Sequence, residues 1–217
     1  MASDVGAPLG AGPATRARLL ELRRLSAEAR AGHDLLERKR EVLLREVWGL
    51  LRELGHHERE VRRRFGKAYA ALREARLSMG SEALSWAALA PAGRSDCATE
   101  TRSVMGVSLP LVRFTVTALP LPYSPFGTSV TLDRARQRWL EVGEVLGGWA
   151  ETYGSVWRAS AELARTQRRV NALEKIVIPR YAAAIQAIEA ALEEQDRETF
   201  LRGKRVKSKK EAEADDG

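Results

Sequence analysis

Residues Ala135–Ala191 read ARQRWLEVGEVLGGWAETYGSVWRASAELARTQRRVNALEKIVIPRYAAAIQAIEAA, and every seventh position from the first to the last is apolar. The nine residues in this series are Ala135, Val142, Trp149, Val156, Leu163, Val170, Val177, Ala184 and Ala191. A straight α-helix drifts by roughly 20° per heptad against such a repeat, so the stripe stays on one partner only if the helices supercoil with a left hand. The stripe therefore predicts a long helix that packs against a second long helix.

The N-terminal part of the chain supplies the predicted second helix. It begins near Pro13-Ala14-Thr15, where the threonine is suited to cap the first turn, and no proline interrupts residues 15–80. Its apolar residues also recur at seven, with one small shift of phase. We call the apolar contact line between the two helices the seam; the stripe described above is its C-terminal side. On the N-terminal helix we expect the seam to contain Leu22, Leu36, Leu43, Leu50, Leu54 and Val61.

The region between the helices has a different composition. Five of the eight prolines lie there, namely Pro91, Pro110, Pro120, Pro122 and Pro125. Alternation of apolar and polar residues from Val112 to Ala118 predicts a half-buried strand. The preceding stretch, Thr101 to Leu109, also favours extended structure, with Gly106 as a bulge. A short β-hairpin in a small head accounts for this pattern, and an irregular loop is the alternative.

The predicted fold class is all-α dominated: a long antiparallel left-handed two-helix coiled coil with a small central head that contains a short β-hairpin. The expected segments are a flexible N-terminus (1–14), an N-terminal helix (15–79), the head (80–130), a C-terminal helix (131–208) and a disordered tail (209–217).

Pro179 lies inside the C-terminal stripe. A proline removes one backbone hydrogen bond from a helix interior. Apolar periodicity nevertheless resumes in phase at Ala184, which favours a kink in one continuous helix over a break between two helices. Four glycines form a second unusual stretch, where they either admit a close backbone or simply weaken the helix. They are Gly143, Gly147, Gly148 and Gly154.

Several function classes receive no support from the sequence. Residues 114–132 carry no charge, but their prolines would leave backbone groups unpaired in lipid, so we do not expect membrane insertion. The single cysteine, Cys97, fits a reducing compartment. His56 and His57 are adjacent and so are not an i,i+4 metal pair; His57 suits a polar seam position. No catalytic, cofactor-binding or metal-binding set is recognisable. The five tryptophans are expected to be mostly packing residues.

The charge of the chain is basic, with a formal net charge of +7. The excess lies on the predicted helices: residues 15–78 hold 17 Lys/Arg against 10 Asp/Glu, and residues 131–210 hold 16 against 11. Such helices suit an acidic partner. They leave open a basic coiled coil that binds nucleic acid or an anionic membrane, as well as a generic adaptor coiled coil.

Three motifs occur in the order typical of one family. The C-terminal stretch RTQRRVNALEKIVIPRYAAAIQAIEAALEEQDRETFLRGKRVKSKK (165–210) closely resembles the last helix of the D subunit of the V-type and archaeal-type rotary ATPases. The opening PATRARLLELRRLSAEARAGHDLLERKREVLLREV (13–47) resembles the first helix of that protein. The short VMGVSLPLV (104–112) is similar to its central hairpin.

The resemblance implies a central rotor protein that is not itself an enzyme and needs no cofactor. Members of this family transmit torque between the membrane ion-translocating ring and a hexamer of alternating A and B subunits, called the A/B hexamer below. ATP synthesis or hydrolysis is thereby coupled to transport of protons or sodium ions. The implied partners are the catalytic A and non-catalytic B subunits, the rotor's F-type subunit, and the funnel subunit linking to the ring. The implied location is cytoplasmic, peripheral to the membrane, with no nucleic acid bound.

Position and expected exposure then select basic side chains that would face the hexamer. On the first helix these are Arg16, Arg18, Arg23 and Arg24. On the last helix they are Arg165, Arg168, Arg169, Lys175 and Arg180.

Overall fold

The computed structural model describes residues 13–90, 93–117, 123–124 and 127–215, with side chains described as far as residue 207. Its elements are α1 (Arg16–Ala88), β1 (Arg94–Val104), β2 (Val107–Thr117), α2 (Val130–Ala172), a π-helical turn (Leu173–Val177) and α3 (Ile178–Asp215). The predicted helix-rich fold with a β-hairpin is confirmed. The residues group into two compact units, Met1–Lys39 with Thr166–Gly217 (unit 1) and Arg40–Arg165 (unit 2).

Helix α1 begins as the sequence predicts and ends later. The backbone N–H of Arg18 donates to Thr15 Oγ1 at 3.2 Å, which is the hydrogen bond of an N-cap. Near the predicted end, Gly80 adopts φ 81° and ψ 164°, a conformation that is essentially restricted to glycine. A further helical segment then continues to Ala88. Gly80 therefore marks a sharp change of direction within α1 rather than its end.

Unit 2 is held together by antiparallel packing of α1 against α2 and the hairpin. Leu43, Val47 and Leu50 of α1 form a buried cluster with Ala159 of α2 and with the hairpin, which contributes Val107 and Leu109. Farther along α1, Arg64 binds Glu144 at 3.0 Å, and Glu74 binds Arg134 at 3.2 Å. Because later residues of α1 meet earlier residues of α2, the two helices run in opposite directions.

Unit 1 pairs the start of α1 with α3, again antiparallel. Leu22 is fully buried against Ala184 and Ile188. Two ion pairs bridge the same helices, Arg16 to Asp196 at 3.2 Å and Arg23 to Glu189 at 2.6 Å. The apolar contact and the ion pairs together align this part of α1 with α3.

The predicted seam residues are all withdrawn from solvent to some degree. Leu22, Leu43, Leu50, Ala135, Val142, Val170 and Ala184 are buried, and the other predicted positions are half-buried. The half-buried set is Leu36, Leu54, Val61, Trp149, Val156, Leu163, Val177 and Ala191. His57 is also half-buried, with its ring next to Gly148.

The hairpin is longer than the sequence indicates and turns at a different place. Strands β1 and β2 pair antiparallel from Arg94↔Thr117 to Val104↔Val107. The two residues left at the turn, Met105 and Gly106, have φ of 50° and 78°. Positive φ at both positions is the requirement of a type I′ turn. Gly106 is therefore a turn residue, and the predicted bulge is wrong.

We expect Met105→Asn to stabilise the hairpin by about 0.5–1 kcal/mol, because a side chain such as Met is strained at positive φ and Asn tolerates it. Urea unfolding followed by circular dichroism measures the change. Met105→Val is the matched control and should lower stability, because β-branched residues are disfavoured in this conformation. Equal effects of the two variants would contradict the turn assignment.

Three glycines of α2 allow β2 to pack closely against this helix. A Cβ at Gly147 would lie 3.0 Å from Phe114 Cβ, and a Cβ at Gly154 would lie 3.1 Å from Pro110 Cγ. At Gly143 the nearest atom would be Val116 Cγ2, at 2.8 Å. The N–H of Val112 adds a hydrogen bond to Glu151 Oε2 at 2.8 Å. These glycines admit a close backbone, which decides between the two explanations left open by the sequence.

The proline in the stripe is accommodated without a break in the helix. Leu173–Val177 forms a π-helical turn, and the N–H of Ile178 donates to the carbonyl of Leu173, five residues earlier. Pro179 has no N–H for the carbonyl four residues before it, and its ring would crowd that carbonyl in a regular α-helix. The wider turn relieves this crowding. Helical structure continues on both sides, and a kink at Pro179 stays a prediction.

Other predicted boundaries differ slightly or lie outside the described residues. Helix α2 begins at Val130 rather than 131, and α3 continues to Asp215, through most of the segment predicted as a disordered tail. Residues 1–12 of the predicted flexible N-terminus, and Pro91, Pro120, Pro122 and Pro125, are not described. The five-segment division stays a prediction as a division into domains.

Within the part of the chain that is described, no helix is both long enough and apolar enough to span a membrane.

Candidate interaction surfaces

The predicted hexamer-facing cations divide into two groups. The first group takes part in ion pairs within the chain: Arg16 and Arg23 bind α3, whereas Arg18, Arg24 and Arg165 bind Glu21, Glu28 and Glu162 on their own helices. The second group is exposed and has no ion-pair partner among the described side chains. Its members are Arg168, Arg169, Lys175 and Arg180.

The four unpaired cations lie in unit 1 on both sides of the π-helical turn. Arg168 and Arg169 precede this turn, Lys175 lies within it, and Arg180 follows Pro179. The turn itself contains no buried residue. An exposed guanidinium or ammonium without an internal partner remains available to a carboxylate of another molecule. These four residues form a candidate basic surface.

A second charged network ties α1 to α2 in unit 2. Glu60 accepts hydrogen bonds from Arg63 at 2.6 Å and from Arg64 at 2.9 Å, and these bonds lower the pKa of Glu60 to about 2. Arg64 also donates to the carbonyl of Glu141 at 2.8 Å and to Glu144 at 3.0 Å. The Arg64 side chain thus links α1 to α2 and, unlike the four unpaired cations, is already paired within the chain.

A concave pocket of about 690 Å³ lies where α1 changes direction at Gly80. Tyr69 and Leu84 contribute apolar surface to its lining, and Arg73 and Arg76 contribute charge. Both arginines are exposed, with no ion-pair partner among the described side chains. The pocket is open, and its mixed lining suits a side chain of another protein.

The tryptophans are placed differently from the sequence prediction. Three of the five are exposed, with exposed fractions of 60% for Trp48 and 69% for both Trp86 and Trp157. Only Trp139 and Trp149 are half-buried. The prediction that most tryptophans are packing residues is wrong. Trp48 follows the buried Val47 and Trp157 follows the seam residue Val156. A step of one position rotates each side chain about 100° away from the helix contact.

Among the described residues, no group of three His, Cys, Asp or Glu side chains is arranged to hold a metal ion. Cys97 is exposed on β1. The candidate functional features found among the described residues are the basic surface of unit 1 and the pocket near Gly80.

Comparison with known proteins agrees with the three sequence motifs. The family model that describes the D subunit of ATP synthase matches residues 18–208. The D subunit of the A-type ATP synthase of Thermococcus gammatolerans is 37% identical over 201 residues, which cover 91% of this chain and 94% of that protein. The corresponding protein of Pyrococcus horikoshii is 36% identical with the same coverage. The D subunit of the V-type ATP synthase of Thermotoga neapolitana is 34% identical over 195 residues, 90% of this chain and 96% of that protein.

The chain belongs to the family of ATP synthase D subunits. This assignment confirms the resemblance found in the sequence. Members of this family are not catalytic, so the prediction that the chain is not itself an enzyme is also confirmed.

Proposed function

We propose that the chain is the central stalk subunit of an A/V-type ATP synthase and that it transmits torque between the membrane ion-translocating ring and the A/B hexamer. In this role it couples ATP synthesis or hydrolysis to transport of protons or sodium ions. It works at the cytoplasmic side of the membrane as a peripheral part of the complex. The family assignment supports this proposal over a nucleic-acid-binding or membrane-binding coiled coil.

The basic surface of unit 1 is the observation that identifies which residues would contact the A/B hexamer. Arg168, Arg169, Lys175 and Arg180 are exposed, and none has an ion-pair partner among the described side chains. A stalk that turns inside a hexamer has to exchange contacts at every step. Exposed ion pairs are each worth under about 1 kcal/mol, so they can guide a rotating protein without trapping it in one position.

Paired helices with an apolar seam suit transmission of torque. Leu22, Leu43 and Val170 are essentially inaccessible to solvent. Burying a Leu or Val side chain contributes about 1.5–3 kcal/mol before conformational entropy is subtracted, and slippage of one helix along the other would expose such residues. The pocket at Gly80 supports a second contact, which we assign to the funnel subunit above the ring.

We expect the double variant Arg168→Gln/Arg169→Gln to bind the A/B hexamer about tenfold more weakly than the unmodified chain, because two exposed ion pairs are lost. Biolayer interferometry with the A/B hexamer of the same organism measures this affinity, which should also fall as salt rises. Arg73→Gln/Arg76→Gln is the matched control, since it removes two exposed unpaired charges from unit 2. The control should bind as the unmodified chain does.

Failure of the unmodified chain to bind either the A/B hexamer or an F-type subunit would overturn the proposed function. Equal weakening by the two double variants would instead refute the assignment of the hexamer contact to Arg168 and Arg169.

A further inference from the structure

Unit 2 carries a set of large apolar side chains that are exposed to solvent. Leu44, Trp48 and Leu51 of α1 and Tyr153 and Trp157 of α2 form this set, which we call the aromatic face. Tyr153 is 52% exposed, and Trp48 and Trp157 are exposed to a larger extent still. A contiguous apolar patch on a protein surface marks an interaction site more often than isolated exposed residues do.

The two rows of the aromatic face lie on the same side of the helix pair. Each residue follows a position of the helix contact by one: Leu44, Trp48 and Leu51 follow the buried cluster of α1, as Tyr153 and Trp157 follow Thr152 and Val156 on α2. One residue advances an α-helix by about 100° in a fixed sense. Because the helices are antiparallel, the two rotations bring both rows to one side.

A ring contact observed farther along the same helices supports this geometry. Trp139 precedes Trp157 by eighteen residues, which is five whole turns of an α-helix, so the two share one side of α2. Tyr69 follows Leu51 by eighteen residues and shares its side of α1 in the same way. The rings of Tyr69 and Trp139 meet edge to face, with centroids 5.1 Å apart.

The α2 half of this surface carries no charge over about seven turns. The α2 residues on this side are Trp139, Leu146, Tyr153, Trp157, Ser160 and Ala164, next to the seam residues Val142 and Trp149. The ring of Trp149 stacks on that of Tyr153, with the ring centroids 5.4 Å apart, and this contact holds part of the surface in place. The hairpin occupies another side of α2, because β2 lies against Gly147 and Gly154. The hairpin therefore leaves the aromatic face uncovered.

A row of positive charge borders the aromatic face on α1. Arg45, Arg52 and Arg59 recur at a spacing of seven beside Trp48 and Leu51. All three are exposed, and none has an ion-pair partner among the described side chains. By contrast, the nearby Arg62 and Arg63 bind Glu58 and Glu60. The border is therefore basic and available to acidic groups.

We propose that the aromatic face binds a helix of another polypeptide, apolar along one stripe and acidic along the adjoining edge. Two parallel rows of apolar side chains form the kind of surface into which an amphipathic helix packs. Aromatic side chains bury about 150–250 Å² each, so the partly exposed rings here supply the apolar centre of an interface of about 800 Å² per partner. The arginine row fixes the orientation of the helix through its acidic edge.

A second copy of this chain is the less suitable occupant. Its aromatic face would bring another row of arginines to the border instead of an acidic row, and like charges near one another oppose association. The proposal rests on the proposed function in one respect, which is that the partner is sought among the other stalk subunits.

The test compares Trp48→Ser/Trp157→Ser with Trp86→Ser for binding of the purified F-type stalk subunit of the same organism. Trp86 is a matched control because its exposed fraction equals that of Trp157 and it lies beyond Gly80. Isothermal titration calorimetry should show at least about 100-fold weaker binding for the double variant, since buried tryptophans are typical hot spots. The control should bind normally, and circular dichroism should show unchanged helicity for both variants.

The arginine row is tested separately by charge reversal. Arg52→Glu should weaken binding of the same F-type subunit about five- to tenfold and reduce its salt dependence, whereas Lys67→Glu, an equal change of charge away from the aromatic face, should not. Equal effects of these two reversals would overturn the assignment of an acidic edge.

The remaining outcomes separate this proposal from the function on which it rests. Normal binding by Trp48→Ser/Trp157→Ser overturns the aromatic face as the docking site and leaves the stalk function intact. A free chain that forms dimers in light scattering, and becomes monomeric with these two substitutions, overturns the proposed partner in favour of a second copy. Failure of the unmodified chain to bind any subunit of the complex overturns both.

Discussion

Replacing Val170 with Asp is expected to destabilise unit 1 by about 3–5 kcal/mol. Val170 has no exposed surface, and a carboxylate buried there without a partner costs several kcal/mol. Whole domains are stable by only about 5–15 kcal/mol, so the loss is a large share of the total. Urea unfolding followed by circular dichroism measures it, and binding to the A/B hexamer should fall in parallel.

The neighbouring substitution Arg169→Asp is the control for Val170→Asp, because Arg169 is exposed on the same turn. It should leave the unfolding free energy nearly unchanged. The pH dependence provides a second check: burial raises the pKa of the introduced carboxyl, so the variant should recover stability as the pH falls and lose it as the pH rises. Similar unfolding of the two variants at all pH values would place the seam on a different side of α2.

Gly147→Val has the second largest expected effect, a loss of about 1–3 kcal/mol from unit 2. A Cβ at this position would already lie 3.0 Å from Phe114 Cβ and 3.4 Å from the Phe114 backbone nitrogen. The two additional methyl groups of Val would press on the backbone of β2, which cannot move without disturbing its pairing with β1. Gly143 is more tolerant, because its nearest neighbour is the end of a partly exposed Val116 side chain.

Gly55→Val is the control for Gly147→Val. Gly55 also lies in a helix, but a Cβ there has no neighbour within 4 Å. The control should be neutral or slightly stabilising, because Val has a higher helix propensity than Gly. Limited proteolysis of β2 should distinguish the variants as well, with faster cleavage expected only for Gly147→Val. Matching stabilities and cleavage rates would show that β2 does not depend on close packing at Gly147.

The pairing of the long helices and the presence of a strand between them could be predicted from local sequence, because both have strong periodic signals. A seven-residue series such as the one through Val142 and Val170 specifies which side of a helix is buried. The alternation from Val112 to Ala118 likewise identifies β2. The cap at Thr15 follows from the chemistry of one side chain. None of these inferences requires knowledge of contacts between residues far apart in the sequence.

Features that depend on distant contacts could not be predicted in this way. The place of the hairpin turn depends on the pairing of β1 with β2, and β1 is exposed along nearly all its length and has no clear alternation. The commitment of Arg23 to Glu189 depends on the register of α1 against α3. The exposure of Trp48 and Trp157 did have a local signal, since each lies one position out of phase with its seam. Hydrophobicity alone suggested burial, and the phase was the better guide.

The π-helical turn before Pro179 determines where the helix is easiest to bend. A π turn replaces the regular i→i−4 bonding pattern, and this one has no buried side chain to support it. Bending stiffness depends on both contributions, so elastic deformation under load concentrates at Leu173–Val177. The unpaired cations Arg169 and Arg180 lie on opposite sides of that compliant turn. A force applied at one of them therefore reaches the other through that turn, which takes up part of the work as elastic strain.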